Sequence, residues 1–301
     1  MKHQHWFRKF FFLPCLSASI FLVSCSQWQG PSPIAPDQQA KKRAFSTPNE
    51  VTPPQEKITP VLRLSAHVKS LAKGTYQDKA AWHLQDLIDE LQYIIDMNPG
   101  TTAASKLGDA VKKLHAAKAD VNKPAPNNTA ISGILNGAIG DIQIVIATRL
   151  IDVRAGVQFI REIATIQPTL LIGSRNGHDC RGQRKSLWMQ KSKGGLISYC
   201  GHQIIVPANA LTQDTEMSVS VDKNDYITVD FGPDMSFQKP VTIIISCRDA
   251  DLAGTDPNKL TISWYDTATG QWLAVPSTVD TVKQTIKAIV SHFTQYTIST
   301  R

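Results

Sequence analysis

Catalytic signatures are what this sequence most visibly lacks. It has no G-x-S-x-G turn, no H-E-x-x-H, no C-x-x-C and no phosphate-cradling glycine loop. These gaps argue against the motif-defined hydrolases, zinc proteases, dithiol oxidoreductases and P-loop nucleotide enzymes. Acidic residues are missing from the first 24 positions, where Lys2, Arg8 and Lys9 lie. Charge is sparse throughout, at 19% against 42% apolar residues, which suits a globular chain rather than a disordered one. The formal charge of +7, less those three N-terminal cations, is +4. That excess is too mild to argue for nucleic acid as a partner.

The cationic start is followed by "FFFLPCLSASIFLV", residues 10–23. This mostly apolar stretch is shorter than the ~20 residues that span a bilayer, and suits a secretory signal. Leu22-Val23-Ser24-Cys25 then resembles a bacterial lipoprotein lipobox. The resemblance implies a signal peptide over 1–24 and a Cys25 thiol that takes a diacylglyceryl group before cleavage. Each acyl CH₂ buried contributes ~0.8 kcal/mol, whereas a basic residue near an anionic surface adds only ~1 kcal/mol. The lipid therefore decides membrane attachment. Ser26 follows Cys25 where Gram-negative sorting would read an aspartate as an inner-membrane signal, so the expected location is the cell envelope, at the outer membrane.

Such a compartment is oxidising. Cys15 leaves with the signal and Cys25 is acylated, leaving Cys180, Cys200 and Cys247. A Cys180–Cys200 disulfide would stabilise by roughly 3 kcal/mol. Cys200–Cys247 is the rival pairing, and spacing does not separate the two.

Residues 25–60 form a Pro-rich linker, with seven prolines between Pro31 and Pro60 and no apolar periodicity. Residues 61–167 read as a four- or five-helix antiparallel bundle. Residues 61–72 are a short candidate helix. Leu84, Leu87, Ile88, Leu91, Ile94 and Ile95 recur at helical spacing over 78–97. Pro99-Gly100 ends that helix, and Thr101 or Thr102 caps the next, which runs to about 119. After the break at 122–128, a helical step continues from Ile131 to about 165. Residues 131–151 approach the composition of a transmembrane helix. However, Asn136, Asp141, Gln143 and Arg149 would be costly in a bilayer, so a core helix is expected.

Residues 168–193 are basic. Arg175, Arg181, Arg184 and Lys185 are the candidates for binding a polyanion such as lipopolysaccharide phosphate. The plainer reading, which is preferred, is a solvated connection. No metal is expected: consecutive His178, Asp179 and Cys180 rarely converge on one ion, and the Asp249, Asp251 and Asp256 loop lacks EF-hand spacing.

From about Lys185 the pattern changes to short β-branched runs bounded by turns, with the first candidate strand at 196–199. The fold class is therefore α+β: an N-terminal helical bundle followed by a C-terminal antiparallel β-sandwich. "GGLISYCGHQIIVPANAL", "DFGPDMSFQKPVTIII" and the closing "HFTQY" resemble a ZU-five domain, the module of zona occludens, netrin-receptor and ankyrin proteins. The match rests chiefly on Gly232, Pro233, Phe237, Lys239, Pro240 and Val241, and covers about 194–301. The resemblance implies a protein–protein contact module. Trp264, Trp272, Phe237 and Phe293 are the expected core anchors.

The triplet His292-Phe293-Thr294 lies inside an expected strand. In death-domain relatives of this module a His-Phe-Ser triplet is cut by the chain itself. Carried over, that chemistry makes the Thr294 hydroxyl the nucleophile, His292 the base and the Phe293 carbonyl the target. Period-2 geometry would put His292 and Thr294 on one face. Ankyrin-type relatives do not cleave, and the preferred reading is structural. The expected role is thus non-enzymatic binding or scaffolding, with self-cleavage as the alternative. The expected partners are the membrane, through the lipid, and another envelope protein; no cofactor is expected.

Overall fold

The computed structural model describes residues 76–172, 180–224 and 226–300. All of them fall within one compact unit of the chain, Thr52–Arg301. The candidate helix at 61–72, Arg175, Cys25, the signal and the linker lie outside the described residues.

Among the described residues four helices come first: α1 (Tyr76–Asp96), α2 (Thr102–Val121), α3 (Asn128–Ala147) and α4 (Val153–Ile172). Their apolar stripes meet in one core, with Leu84, Leu87 and Leu91 of α1, Leu107 and Leu114 of α2, Ile131, Leu135 and Ile142 of α3, and Phe159 of α4 all buried. Thr101 caps α2 by accepting the Ala104 N–H at 3.0 Å, and Asn127 does the same for α3 through Ala130.

The helical step expected to run unbroken from 131 to 165 is in fact two helices. Thr148 terminates α3, Arg149 adopts φ 59, and Asp152 accepts the Arg154 N–H at 2.8 Å to start α4. Local hydrogen bonding by Thr and Asp side chains competes with helix continuation, and the apolar spacing masked it. Helix α3 is long and apolar enough to cross a membrane by length and composition. In this structure it packs between α2 and α4, with Asp141 buried and salt-bridged to Lys113 and Lys106.

Eleven strands follow: β1 (Gln183–Met189), β2 (Gly195–Tyr199), β3 (His202–Val206), β4 (Thr215–Val221), β5 (Thr228–Gly232), β6 (Ser236–Ser246), β7 (Leu260–Asp266), β8 (Gln271–Val275), β9 (Ser277–Asp280), β10 (Thr285–His292) and β11 (Gln295–Thr300). They form two antiparallel sheets, ordered β1-β4-β5-β11-β7-β8 and β2-β3-β6-β10-β9. The pleat sends Val241, Ile243 and Ile245 of β6 and Ile286 and Ala288 of β10 into a core shared with Val219, Val229, Phe231, Ile262 and Ile298 of the other sheet.

The segment 168–193, expected to be a solvated connection leading into a first strand, carries the end of α4 and already contains the whole of β1. Its alternation is easy to miss because a lysine occupies an inward position: Lys185, Leu187 and Met189 face inward. The β1–β2 turn needs glycine. Gly194 has φ +67, and a Cβ there would run into the backbone of Val206 and Pro207. Cys200 and Gly201 both have positive φ, at 56 and 79, and make the two-residue turn joining β2 to β3.

Candidate functional site: the helix–sheet junction and the C-terminal triplet

β1 and β2 are each the end strand of a sheet, so each has a row of backbone N–H groups with no strand partner. The helices supply the acceptors. On α1, Glu90 Oε1 accepts the Ser198 N–H at 2.8 Å, and Asp86 Oδ2 accepts the Cys200 N–H at 3.0 Å. Asp86 Oδ1 also takes the Ser198 hydroxyl at 2.7 Å. On α4, Gln158 Oε1 accepts the Trp188 N–H of β1 at 2.8 Å. Asp86 and Glu90 are one helical turn apart and therefore share a face. Two open edges are thus closed by side chains from two helices, which joins the helical and β parts through directional bonds as well as packing.

At the centre stands Lys185. Its ammonium lies 2.8 Å from Glu90 Oε1 and 2.9 Å from Glu162 Oε2. Burial pushes the Glu90 carboxyl up to about 8, with Lys185 opposing the rise and Glu162 adding to it. Burial likewise raises Asp86. For Lys185 burial works to lower the ammonium, but Glu162, Glu90 and Asp86 outweigh it and hold it above the ordinary lysine range. The cluster thus ties strand β1 to helices α1 and α4 through one shared ammonium.

This corrects the polyanion reading of Lys185: it is buried and its charge is taken up by carboxylates of this chain. Arg184 points outward and is exposed, Arg181 is half-buried, and Arg175 lies outside the described residues. Neighbouring residues in a strand face opposite ways, so a linear run of cations does not become one patch. Sequence reasoning missed Asp86, Glu90, Gln158 and Glu162. By helical spacing Asp86 and Glu90 fall on the side of α1 opposite the Leu84, Leu87, Ile88 and Leu91 stripe, a side that reads as solvated, so the sequence carried no signal that β1 and β2 cover it.

The triplet does not lie within one strand. β10 ends at His292 in one sheet and β11 begins at Gln295 in the other, so Phe293 and Thr294 make the crossing between sheets. The Phe293 N–H donates to Met235 O at 2.9 Å, and its ring packs against Phe231 and Phe237 with centroids 5.7 and 4.6 Å away. The Thr294 hydroxyl donates to Tyr265 O at 3.2 Å. The His292 ring lies edge-on to Trp264 at 4.8 Å, and burial, against the field of Asp234, holds its imidazole below the ordinary histidine range. Base and hydroxyl are thus turned to different partners. Of the expected anchors, Phe293 is fully buried, while Trp264, Trp272 and Phe237 are half-buried.

Cys180 and Cys200 are joined in a disulfide, and Cys247 is a buried free thiol whose pKa burial raises. Among the described residues no group of three or more His, Cys, Asp or Glu is placed to hold a metal ion. Compared with known proteins, the chain matches no family model and no curated protein.

Proposed function

We propose that this chain is a lipid-anchored protein of the bacterial cell envelope, at the outer membrane, that binds or scaffolds a partner and catalyses no reaction. The anchor reading rests on Leu22-Val23-Ser24-Cys25 at the end of a short apolar run that follows a cationic start. The strand part is proposed to be a sandwich of the ZU-five type. Its two antiparallel sheets share a core, and the Gly232, Phe237 and Pro240 positions fall at the β5–β6 turn and along β6. The observation that favours binding over self-cleavage is the Thr294 hydroxyl, which donates to Tyr265 O while His292 rests on Trp264. Cleavage would need that hydroxyl to face the imidazole.

The test combines acyl labelling and intact mass. Labelled palmitate should enter the wild-type chain and not a Cys25→Ser variant. Equal labelling of the two would sink the anchor. A fragment beginning at Thr294 that disappears in Thr294→Ala would replace the binding reading with self-cleavage. A pull-down from native envelope, with the Cys25→Ser form as control, would identify the partner.

A further inference from the structure

Beside the Lys185 cluster, α4 and β1 leave a cleft of about 390 Å³, with Tyr199 and His83 at one side. That volume lies within the range of small-ligand sites, roughly 300–1,000 Å³. Its wall from α4 includes Arg161 and its wall from β1 includes Arg184 and Ser186, while Lys185 and Glu162 also line it.

Among the described residues, the charges around this cleft do not balance. Glu162 is committed to Lys185 at 2.9 Å. Glu90, the second carboxylate on Lys185, is fully buried, and burial favours its neutral form. Arg161 and Arg184 are exposed and make no ion pair with any of the described residues. The carboxylate that Arg184 acts on through space, Asp230, projects from the exposed side of β5 and does not line the cleft. The Ser186 hydroxyl belongs to the same wall as Arg184, two positions away on the same face of β1. Two guanidinium forks and the Ser186 hydroxyl stand on facing walls, and Glu162, the one carboxylate among the described lining residues, is held by Lys185.

We infer that this cleft binds a compact phosphate-bearing anion between Arg161 and Arg184. Guanidinium is suited to the task because its planar fork meets two oxygens of one phosphate at once. The basic character expected of residues 175–193 thus becomes functional in a different set: Arg184 stays, Lys185 is spent internally, and Arg161 joins from a helix 23 positions upstream. The phosphate has two possible sources, a soluble phospho-compound or a lipid headgroup. This inference does not depend on acylation of Cys25, and a failure of the anchor would leave it intact.

The test is calorimetric titration of the full chain in dodecyl maltoside with pyrophosphate, and separately with dihexanoyl phosphatidylglycerol against dihexanoyl phosphatidylcholine. Arg161→Gln and Arg184→Gln should each weaken binding about tenfold or more, as expected for loss of a charge-assisted hydrogen bond. Arg154→Gln removes the same charge from a guanidinium that stacks on Trp188 and does not line the cleft, and should leave binding unchanged. Tighter binding of phosphatidylglycerol than of pyrophosphate, with the same arginine dependence, assigns a headgroup; the reverse order assigns a soluble compound. Binding of neither probe, equal affinity in Arg161→Gln/Arg184→Gln, or equal weakening by Arg154→Gln would overturn the site. Both arginines are exposed, so their thermal transitions should match wild type and serve as the folding control.

Discussion

The Lys185 ammonium lies 2.8 Å from Oε1 of Glu90, with side chains 8% and 0% exposed. The first residue belongs to a strand and the second to a helix 95 positions earlier. Removing Lys185 takes the shared cation from both Glu90 and Glu162, and truncating one member of a buried paired network costs far more than the network's net worth. Lys185→Met is expected to destabilise by about 3–5 kcal/mol. Glu90→Gln keeps an oxygen for the Ser198 N–H and should do less harm. Urea denaturation of the three proteins checks the ranking; a Lys185→Met variant as stable as wild type would remove the cluster from the account of stability.

The same carboxyl sets a pH dependence. Glu90 titrates near 8 when folded, against an ordinary value of 4.5. Between those values the folded chain holds a proton that the unfolded chain has released, so stability falls as pH rises. The contribution is complete below about pH 4.5, declines by at most about 1.4 kcal/mol per pH unit, and is flat above about 8. Lys185 stays charged across this window and adds no slope. Denaturation between pH 5 and 8 should show a shallower decline in Glu90→Gln than in wild type.

Cys180 and Cys200 enclose a 20-residue separation. Replacing both with serine, or reducing the bridge, is expected to lower stability by about 3 kcal/mol through the unfolded chain's entropy. Thermal melts with and without reductant measure it. The Cys180→Ser/Cys200→Ser protein should be indifferent to reductant, since Cys247 is a buried free thiol.

At the sheet crossing, Phe293→Ala should remove about 3–5 kcal/mol by opening a cavity against Phe231 and Phe237. Thr294→Ala loses a hydrogen bond to Tyr265 O and should remove only about 1 kcal/mol. Chemical denaturation separates the two. A larger loss for Thr294→Ala than for Phe293→Ala would mean that the hydroxyl, not the ring, holds the crossing.

Much of the local structure was legible in the sequence. The 3.6-residue recurrence of Leu84, Leu87, Ile88 and Leu91 marks α1, and Thr101 marks the start of α2. Other elements were not legible. β9 is four residues long, too short to display an alternation. β1 hides behind Lys185 at an inward position, and the α3–α4 break hides under continuous apolar spacing. Of the site, Cys180 and Cys200 were identified as a candidate pair, but the choice over Cys247 required the folded distance.

Outside β1, β9 and the α3–α4 break, residue order alone settled which segments coil and which extend, because helices and strands are set by neighbours three, four or two positions away. It also set the division into helices first and strands after. Tertiary structure decided what the chemistry-bearing residues became. Ser198 meets Glu90 across 108 positions, and no local pattern encodes a meeting at that range. Lys185 turned from a surface cation into an interior one because carboxylates on two helices converged where its strand had an open edge. Thr294 turned from a candidate nucleophile into a hydrogen-bond donor because the chain changes sheets there, which rotates the hydroxyl toward Tyr265.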